Sequence, residues 1–290
     1  MKILVTLWRF FIFSNLLIAF AAASQSLLTY YVLQIPINWG IVFLEWSATL
    51  LLYNFSMWLS MPRQLGNSPF RRTKWYFKNR PIFFSFSFFA VLIGLLTLLQ
   101  LHLYTFFFLC IIGVLCLGYA TPIIKRDGQF LSLRAIAGLK VFLIAAVWAL
   151  SVVGMPVVEY WSAGNALHWN SVLLWGLLEV LFILAITLPF DIRDIKQDKH
   201  YDLKTIPVLL GEKYAQVLCY GLIGLHAISL FLLSAIFGPV IWRLIAMDIV
   251  VILLFCTIVF KKKLNYERVY LLDLVLILQY LLVIYLCFLR

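Results

Sequence analysis

The chain has 290 residues, of which 64% are hydrophobic and 12% charged, and its mean hydropathy is +1.02. Soluble domains are roughly half apolar and about a quarter charged, so the composition excludes a soluble domain and identifies an integral membrane protein. The net charge of +11 lies mostly in loops between apolar runs, which speaks for membrane orientation and against a nucleic-acid partner.

About 20 apolar residues cross a bilayer as a helix. The runs here do not alternate in polarity, so helices are predicted and barrel strands are not. In chain order, roughly nine spans are expected: 8–29, 38–60, 81–101, 103–120, 133–157, 169–190, 214–237, 240–260 and 269–289. Basic residues gather in alternate loops. Arg63, Arg71, Arg72, Lys74, Lys78 and Arg80 follow the second span, and Lys125, Arg126, Arg134 and Lys140 follow the fourth. Arg193, Lys196, Lys199, Lys204 and Lys213 follow the sixth, and Lys261, Lys262, Lys263 and Arg268 follow the eighth. The positive-inside rule then places these loops and the N-terminus in the cytoplasm, as in a multi-pass protein of the plasma or inner membrane. Residues 1–290 read as one transmembrane domain. No cleavable signal peptide is expected, because the first apolar run lacks a small-residue cleavage site and is long enough to span. Five cysteines (Cys110, Cys116, Cys219, Cys256 and Cys287) lie inside apolar runs without a CxxC pair. They read as small buried hydrophobes, with no disulfide framework or zinc site.

The sixth span ends in Pro189-Phe-Asp191-Ile-Arg-Asp194-Ile-Lys-Gln-Asp198-Lys199. Carboxylates at i, i+3 and i+7 share one face of a helix. A helix C-terminus disfavours anions unless a cation joins them. Oxygen-only ligands suit Mg²⁺, which keeps waters and bridges carboxylates to substrate phosphates. A solvated loop is the competing reading of the same spacing.

The longer stretch from Asp191 to Gly211 closely resembles the second aspartate-rich motif of the UbiA superfamily of intramembrane prenyltransferases. In that family DxxDxxxD precedes a short basic stretch, then Thr, Ile or Leu, and Pro-Val-x-x-Gly. Asp191, Asp194, Asp198, Lys204, Thr205, Pro207 and Gly211 all match. The family's nine-helix topology with a cytoplasmic N-terminus matches as well. A second likeness is Gly118-Tyr119-Ala-Thr-Pro122-Ile-Ile-Lys125-Arg126 after the fourth span, where the family carries a Tyr and basic residues that help hold a diphosphate. Positive-inside anchoring explains that segment equally well. Arg9 and Asn15 resemble a further family feature.

The resemblance implies an all-α bundle of about nine transmembrane helices with a cytoplasm-facing central cavity. It implies Mg²⁺ on Asp191, Asp194 and Asp198 as the catalytic and metal residues. Asn54, Tyr119, Lys125, Arg126 and Lys199 are the implied substrate-binding residues. The implied reaction transfers an isoprenoid from a prenyl diphosphate to an aromatic or other lipophilic acceptor, within membrane lipid.

One departure bears directly on that expectation. The family's first motif, roughly NDxxDxxxD, should close the second span. Here Asn54 matches the asparagine, but the aspartate positions carry Phe55, Trp58 and Pro62. Between Glu45 and Asp127 there is no carboxylate. Glu45 lies nine residues before Asn54, about 13 Å along a helix and half a turn away, and so is a poor replacement. Two readings follow. In one, a half-site remains, with a single Mg²⁺ on the second motif and Arg63, Arg71 or Arg72 on phosphate. In the other, the site has decayed and the protein binds a lipid or a partner without turnover. A small-solute transporter ranks last, since no matching halves are evident. Ionisable residues within spans are functional candidates: Glu45, Glu179 and Asp248 qualify, with Arg243 near Asp248. Lys140 is expected to snorkel to the cytoplasmic side.

Overall fold

The computed structural model describes residues 2–60, 71–121, 124–126, 129–131, 133, 136–200, 203–261 and 266–288. Arg63 lies outside the described residues. A helix occupies each of the nine predicted segments. The chain begins with α1 (Lys2–Phe13) and α2 (Leu16–Val32), followed by α3 (Trp39–Ser60), the short α4 (Arg71–Lys78), α5 (Arg80–Leu98) and α6 (Leu103–Ala120). A hairpin of β1 (Ile124–Arg126) and β2 (Gln129–Leu131) interrupts the expected all-helical pattern, pairing Lys125 with Phe130 and Arg126 with Gln129. The sequence between the strands is Asp127-Gly128, a pair favoured by two-residue hairpin loops.

Next come α7 (Leu139–Ala149), a π-helical turn at Leu150–Gly154 and α8 (Met155–Ser162), which together form one span. The central helix α9 (Trp169–Arg193) leads into the short α10 (Ile195–His200) and α11 (Ile206–Leu210). The chain ends with α12 (Glu212–Leu232), α13 (Ser234–Phe237), α14 (Val240–Leu254) extended by a second π-helical turn (Phe255–Val259), and α15 (Leu271–Phe288).

Among the described residues, five helical segments are long and apolar enough to cross a membrane: Arg80–Leu98, Leu139–Ser162, Trp169–His200, Glu212–Leu232 and Val240–Val259. A sixth joins if α1 and α2 form one span, although they meet at 70°. The bend has a local cause. Asn15 adopts left-handed backbone angles (φ 62°) between the two helices, a conformation Asn tolerates better than most residues. α3 is as long as a span, but it carries Glu45, Ser47 and Asn54, all buried.

α9 packs against α7 and α12, while α2 lies between α3 and α15. The largest core cluster joins Phe182, Ile186 and Ile192 of α9 to Cys219 and Ile223 of α12 and to Leu272 and Leu276 of α15. Large apolar side chains such as Phe84, Phe88, Leu103 and Phe107 point outward. In water such a surface would be a liability, whereas acyl chains solvate it.

Candidate active site

Asp191, Asp194 and Asp198 emerge where α9 ends. At 100° per residue, Asp191 and Asp198 differ by about 20° around the axis, while Asp194 stands about 60° away. Asp194 is also the residue at which α9 stops, with its N–H bonded to the carbonyls of Phe190 and Asp191. The three carboxylates therefore separate. Lys140 Nζ sits 2.7 Å from Asp191 Oδ1 and 3.5 Å from Asp198 Oδ2. Asp194 instead takes a bidentate pair of hydrogen bonds from Arg193, at 2.8 and 2.7 Å. Among the described residues, no three His, Cys, Asp or Glu side chains gather as a metal-holding group.

Lys140 does not snorkel outward as expected; it turns inward because it has two buried partners. Gly138, at φ +70°, starts α7 and donates its N–H to the Lys204 carbonyl at 2.8 Å. That contact ties the start of α7 to the segment after α10, which puts Lys140 opposite Asp191.

These groups open onto a cavity of about 220 Å³. Its charged lining is Arg72, Lys140, Arg193, Asp191, Asp194 and Asp273. Arg193 is stacked on Tyr266 at 4.1 Å and on Phe190 at 5.1 Å, a cation–π arrangement that fixes its plane. Arg72, on α4, lines the same cavity. Its Nη2 donates to Asn15 Oδ1 at 2.5 Å, Asn15 Nδ2 donates to Asn54 Oδ1 at 2.8 Å, and Asn54 Nδ2 donates to Ser87 Oγ at 2.9 Å. The α1–α2 bend is what aims Asn15 into this relay.

Three buried polar atoms of this lining have no hydrogen-bond partner among the described residues: Arg72 Nε, Arg193 Nη1 and Asp191 Oδ2. Each such orphan costs about 1–3 kcal/mol in a folded protein, and native proteins leave few of them. Two cationic donors and one carboxylate oxygen on residues lining one cavity thus lack partners among the described residues.

The remaining predicted residues lie elsewhere. Asn54 is buried behind Arg72 and does not line the cavity. Asp198 is buried beyond Lys140, also outside the lining, and Lys199 is exposed on α10. Tyr119 lines a neighbouring chamber of about 270 Å³. Lys125 and Arg126 belong to β1, and their side chains lie outside the described residues. Asp248 pairs with His226 (2.9 Å), while Arg243 donates to the Val283 carbonyl. Glu179 is buried, with Oε1 unpartnered among the described residues.

Sequence reasoning missed Asp273, Tyr53 and Tyr270. Asp273 carried a signal, being a carboxylate in the first turn of a predicted span. It lies within electrostatic reach of Arg193 and Arg72. Tyr53 and Trp148 line this cavity, the chamber at Tyr119 and a third chamber of about 360 Å³, so the three spaces share walls.

Of the three aspartates, Asp191 and Asp194 are the two that line the cavity. Mg²⁺ binds through one or two carboxylates together with substrate phosphates. Asp191 Oδ2 is open, and Asp194 lines the same space. Asp198 is not part of that lining and pairs with Lys140 at 3.5 Å.

The family model for "UbiA prenyltransferase family" matches residues 79–272. The match begins after α3, past the place where the first aspartate motif is lost. Among solved structures, a UbiA homologue from Aeropyrum pernix K1 in its apo state is 13% identical, with a TM-score of 0.67, over 93% of this chain and 98% of that one. A UbiA homologue from Archaeoglobus fulgidus bound to DMAPP and Mg²⁺ is 13% identical, with a TM-score of 0.52, over 96% and 97%. A structure described for digeranylgeranylglyceryl phosphate synthase is 17% identical, with a TM-score of 0.53, over 98% and 97%. At such identities the likeness establishes the fold. No curated protein sequence matches.

Proposed function

The chain belongs to the UbiA prenyltransferase family, and from that premise we propose that it transfers an isoprenoid group from a prenyl diphosphate to a lipophilic acceptor. The observation that carries this reading is the cavity lined by Arg72, Arg193 and Asp191, each of which has one buried polar atom (Nε, Nη1 and Oδ2) without a hydrogen-bond partner among the described residues. The domain is one unit over 1–290, oriented with its N-terminus and this cavity toward the cytoplasm.

Arg72 and Arg193 bind the diphosphate directly, since guanidinium forks match phosphate geometry. Arg72 occupies the side from which the first aspartate motif is missing, so that side recognises phosphate by a fixed cation. Lys140 holds Asp191 in place and contributes a further positive charge. The lining carries three cations and three carboxylates, so a bound diphosphate brings uncompensated negative charge. A divalent ion on Asp191 and Asp194 would balance that charge and stabilise the leaving group as the allylic C–O bond breaks. Tyr53, Trp148, Phe190 and Tyr270 border the cavity. Their ring faces stabilise the positive charge that develops on the allylic carbon. The acceptor then bonds to that carbon and loses a proton. The apolar chamber lined by Leu52, Leu143, Ile144 and Val147 takes the prenyl chain and excludes water.

Binding of radiolabelled geranyl diphosphate to the purified protein, with and without Mg²⁺, tests the reading. Mg²⁺ is expected to strengthen binding by about tenfold or more in the wild type, in line with the strength of charge-assisted contacts, and to have no such effect in Asp194→Asn. Equal binding with and without Mg²⁺ favours the second reading, a lipid-binding protein without turnover. That reading draws on the ion pairs that already occupy Asp191, Asp194 and Asp198.

The asparagine relay makes a finer prediction. Asn54→Ala is expected to weaken geranyl diphosphate binding about fivefold without abolishing it, because one hydrogen bond steadying Arg72 is worth about 1 kcal/mol. Affinity unchanged in a titration of that variant would remove Asn54 from the site.

A further inference from the structure

The relay and the ion pairs account for the charged cavity. They leave unexplained a carboxyl group set deep in the apolar part of the bundle. Glu45, on α3, is 3% exposed and lines the chamber of about 360 Å³ that shares Tyr53 and Trp148 with the charged cavity. Among the described residues its hydrogen-bond donor is Ser151 Oγ, at 2.5 Å from Oε2. Ionisable groups at membrane depth are rare and costly, and those that persist face a partner or a cavity. Glu45 does both.

Ser151 is presented by an irregular piece of backbone. It lies in the π-helical turn Leu150–Gly154, just before Pro156. Proline in a regular helix clashes with the carbonyl four residues earlier and removes a hydrogen bond, and the widened turn accommodates both effects. Such π-turns recur at functional sites. Gly154 closes the back of this region. A Cβ there would stand 2.7 Å from the Phe108 ring, so only glycine lets α6 pack this closely on the turn. On the outer side, Phe55 and Leu117 line the chamber and are exposed. The chamber therefore opens sideways toward lipid between α3 and α6.

We propose that Glu45 forms the polar end of an acceptor site, which recognises a lipophilic molecule by a hydroxyl at the end remote from its reacting atom, in competition with the internal donor Ser151. An alkyl chain alone needs no polar group on its wall. A carboxyl with one internal donor retains acceptor capacity for a second. Glu45 and Tyr53 are eight residues apart on one helix, about 12 Å along its axis. That length is the spacing between the recognised hydroxyl and the end that meets the charged cavity. A site built to bond a hydroxyl rejects the analogue without it, because its own polar group is left unpaired. Calling the occupant an acceptor rests on the prenyltransferase reading; the recognition of the hydroxyl does not.

The test compares 4-hexylphenol with hexylbenzene by calorimetric titration in detergent micelles, for the wild type, Glu45→Gln, Glu45→Leu and Ser151→Ala. The wild type is expected to bind the phenol about tenfold more tightly than the hydrocarbon, as expected for a bond to a buried acceptor. Glu45→Gln keeps much of that ratio, since its amide oxygen still accepts. Glu45→Leu brings the ratio close to one. If Glu45→Leu does not fold, Ser151→Ala serves instead: with the internal competitor removed, the ratio is expected to rise. A wild type with no preference overturns the proposal. So does a preference that survives Glu45→Leu, or, where that variant does not fold, one that Ser151→Ala leaves unchanged. Geranyl diphosphate binding, measured on the same samples, is expected to be unaffected by Glu45→Gln. Its loss from the wild type would count against the headgroup reading alone.

Discussion

Lys140→Met is expected to destabilise the protein more than any other single change at the site. Lys140 Nζ faces both Asp191 and Asp198, and both carboxylates are buried. Removing one partner of a buried ion pair costs about 3–5 kcal/mol, because the remaining charge is left uncompensated. Here two charges are stranded at once. Thermal unfolding in detergent should show a large fall in the midpoint. Added Mg²⁺ should restore part of it, because the freed carboxylates then offer the ion a place that the ammonium had filled. Asp191→Ala should cost less, near the lower end of that range, because Asp198 at 3.5 Å still partners the ammonium. A midpoint that is unmoved in Lys140→Met would mean that the pair is solvated and contributes nothing to the fold.

Arg72→Ala is expected to cause the largest loss of substrate binding that leaves the fold intact. Arg72 lines the cavity and donates to Asn15, and its buried Nε has no partner among the described residues. Losing a charge-assisted bond to phosphate costs about 1.5–3 kcal/mol, which corresponds to about a ten- to hundredfold weaker affinity for geranyl diphosphate. Arg72→Lys should recover only part of this, since an ammonium lacks the planar fork. Asn15 keeps its bond to Asn54 in either variant, so the unfolding midpoint should barely move. Affinity within twofold of wild type in Arg72→Ala would show that phosphate is held elsewhere, with Arg193 the first alternative to examine.

Both predictions bear on how this chain manages without the first aspartate motif. In the proposed site, metal-laden carboxylates on that side give way to a guanidinium held by a relay of amides. The surviving motif is itself partly neutralised by Lys140 and Arg193. Such a site binds an anion with fewer metal ions, and its dependence on Mg²⁺ is correspondingly the property to measure first.

The sequence by itself determined the class of protein, the positions of the helices and the family. Long apolar runs leave the backbone no solution but a helix. Within Asp191–Gly211, several residues have a local role: carboxylates at a helix end, a proline that starts a short helix, a glycine at φ +88° that ends it. Asn54 was legible as a site residue, but its actual task, steadying Arg72 through Asn15, was not. That task depends on a 70° bend in the first helix pair, and nothing in the local pattern announces it.

Tertiary structure alone decided which charges meet. Helical spacing aligned Asp191 with Asp198, yet it could not show that a lysine 51 positions before Asp191 would fill the space between them. Lys140 reads as an ordinary interfacial residue until α7 is laid against α9. Asp273, separated from Arg72 by most of the chain, joins the same cavity only when α15 closes on α2. Ion pairing in a low-dielectric interior is set by distances of a few ångströms, and those distances come from helix packing, a property that no stretch of sequence contains.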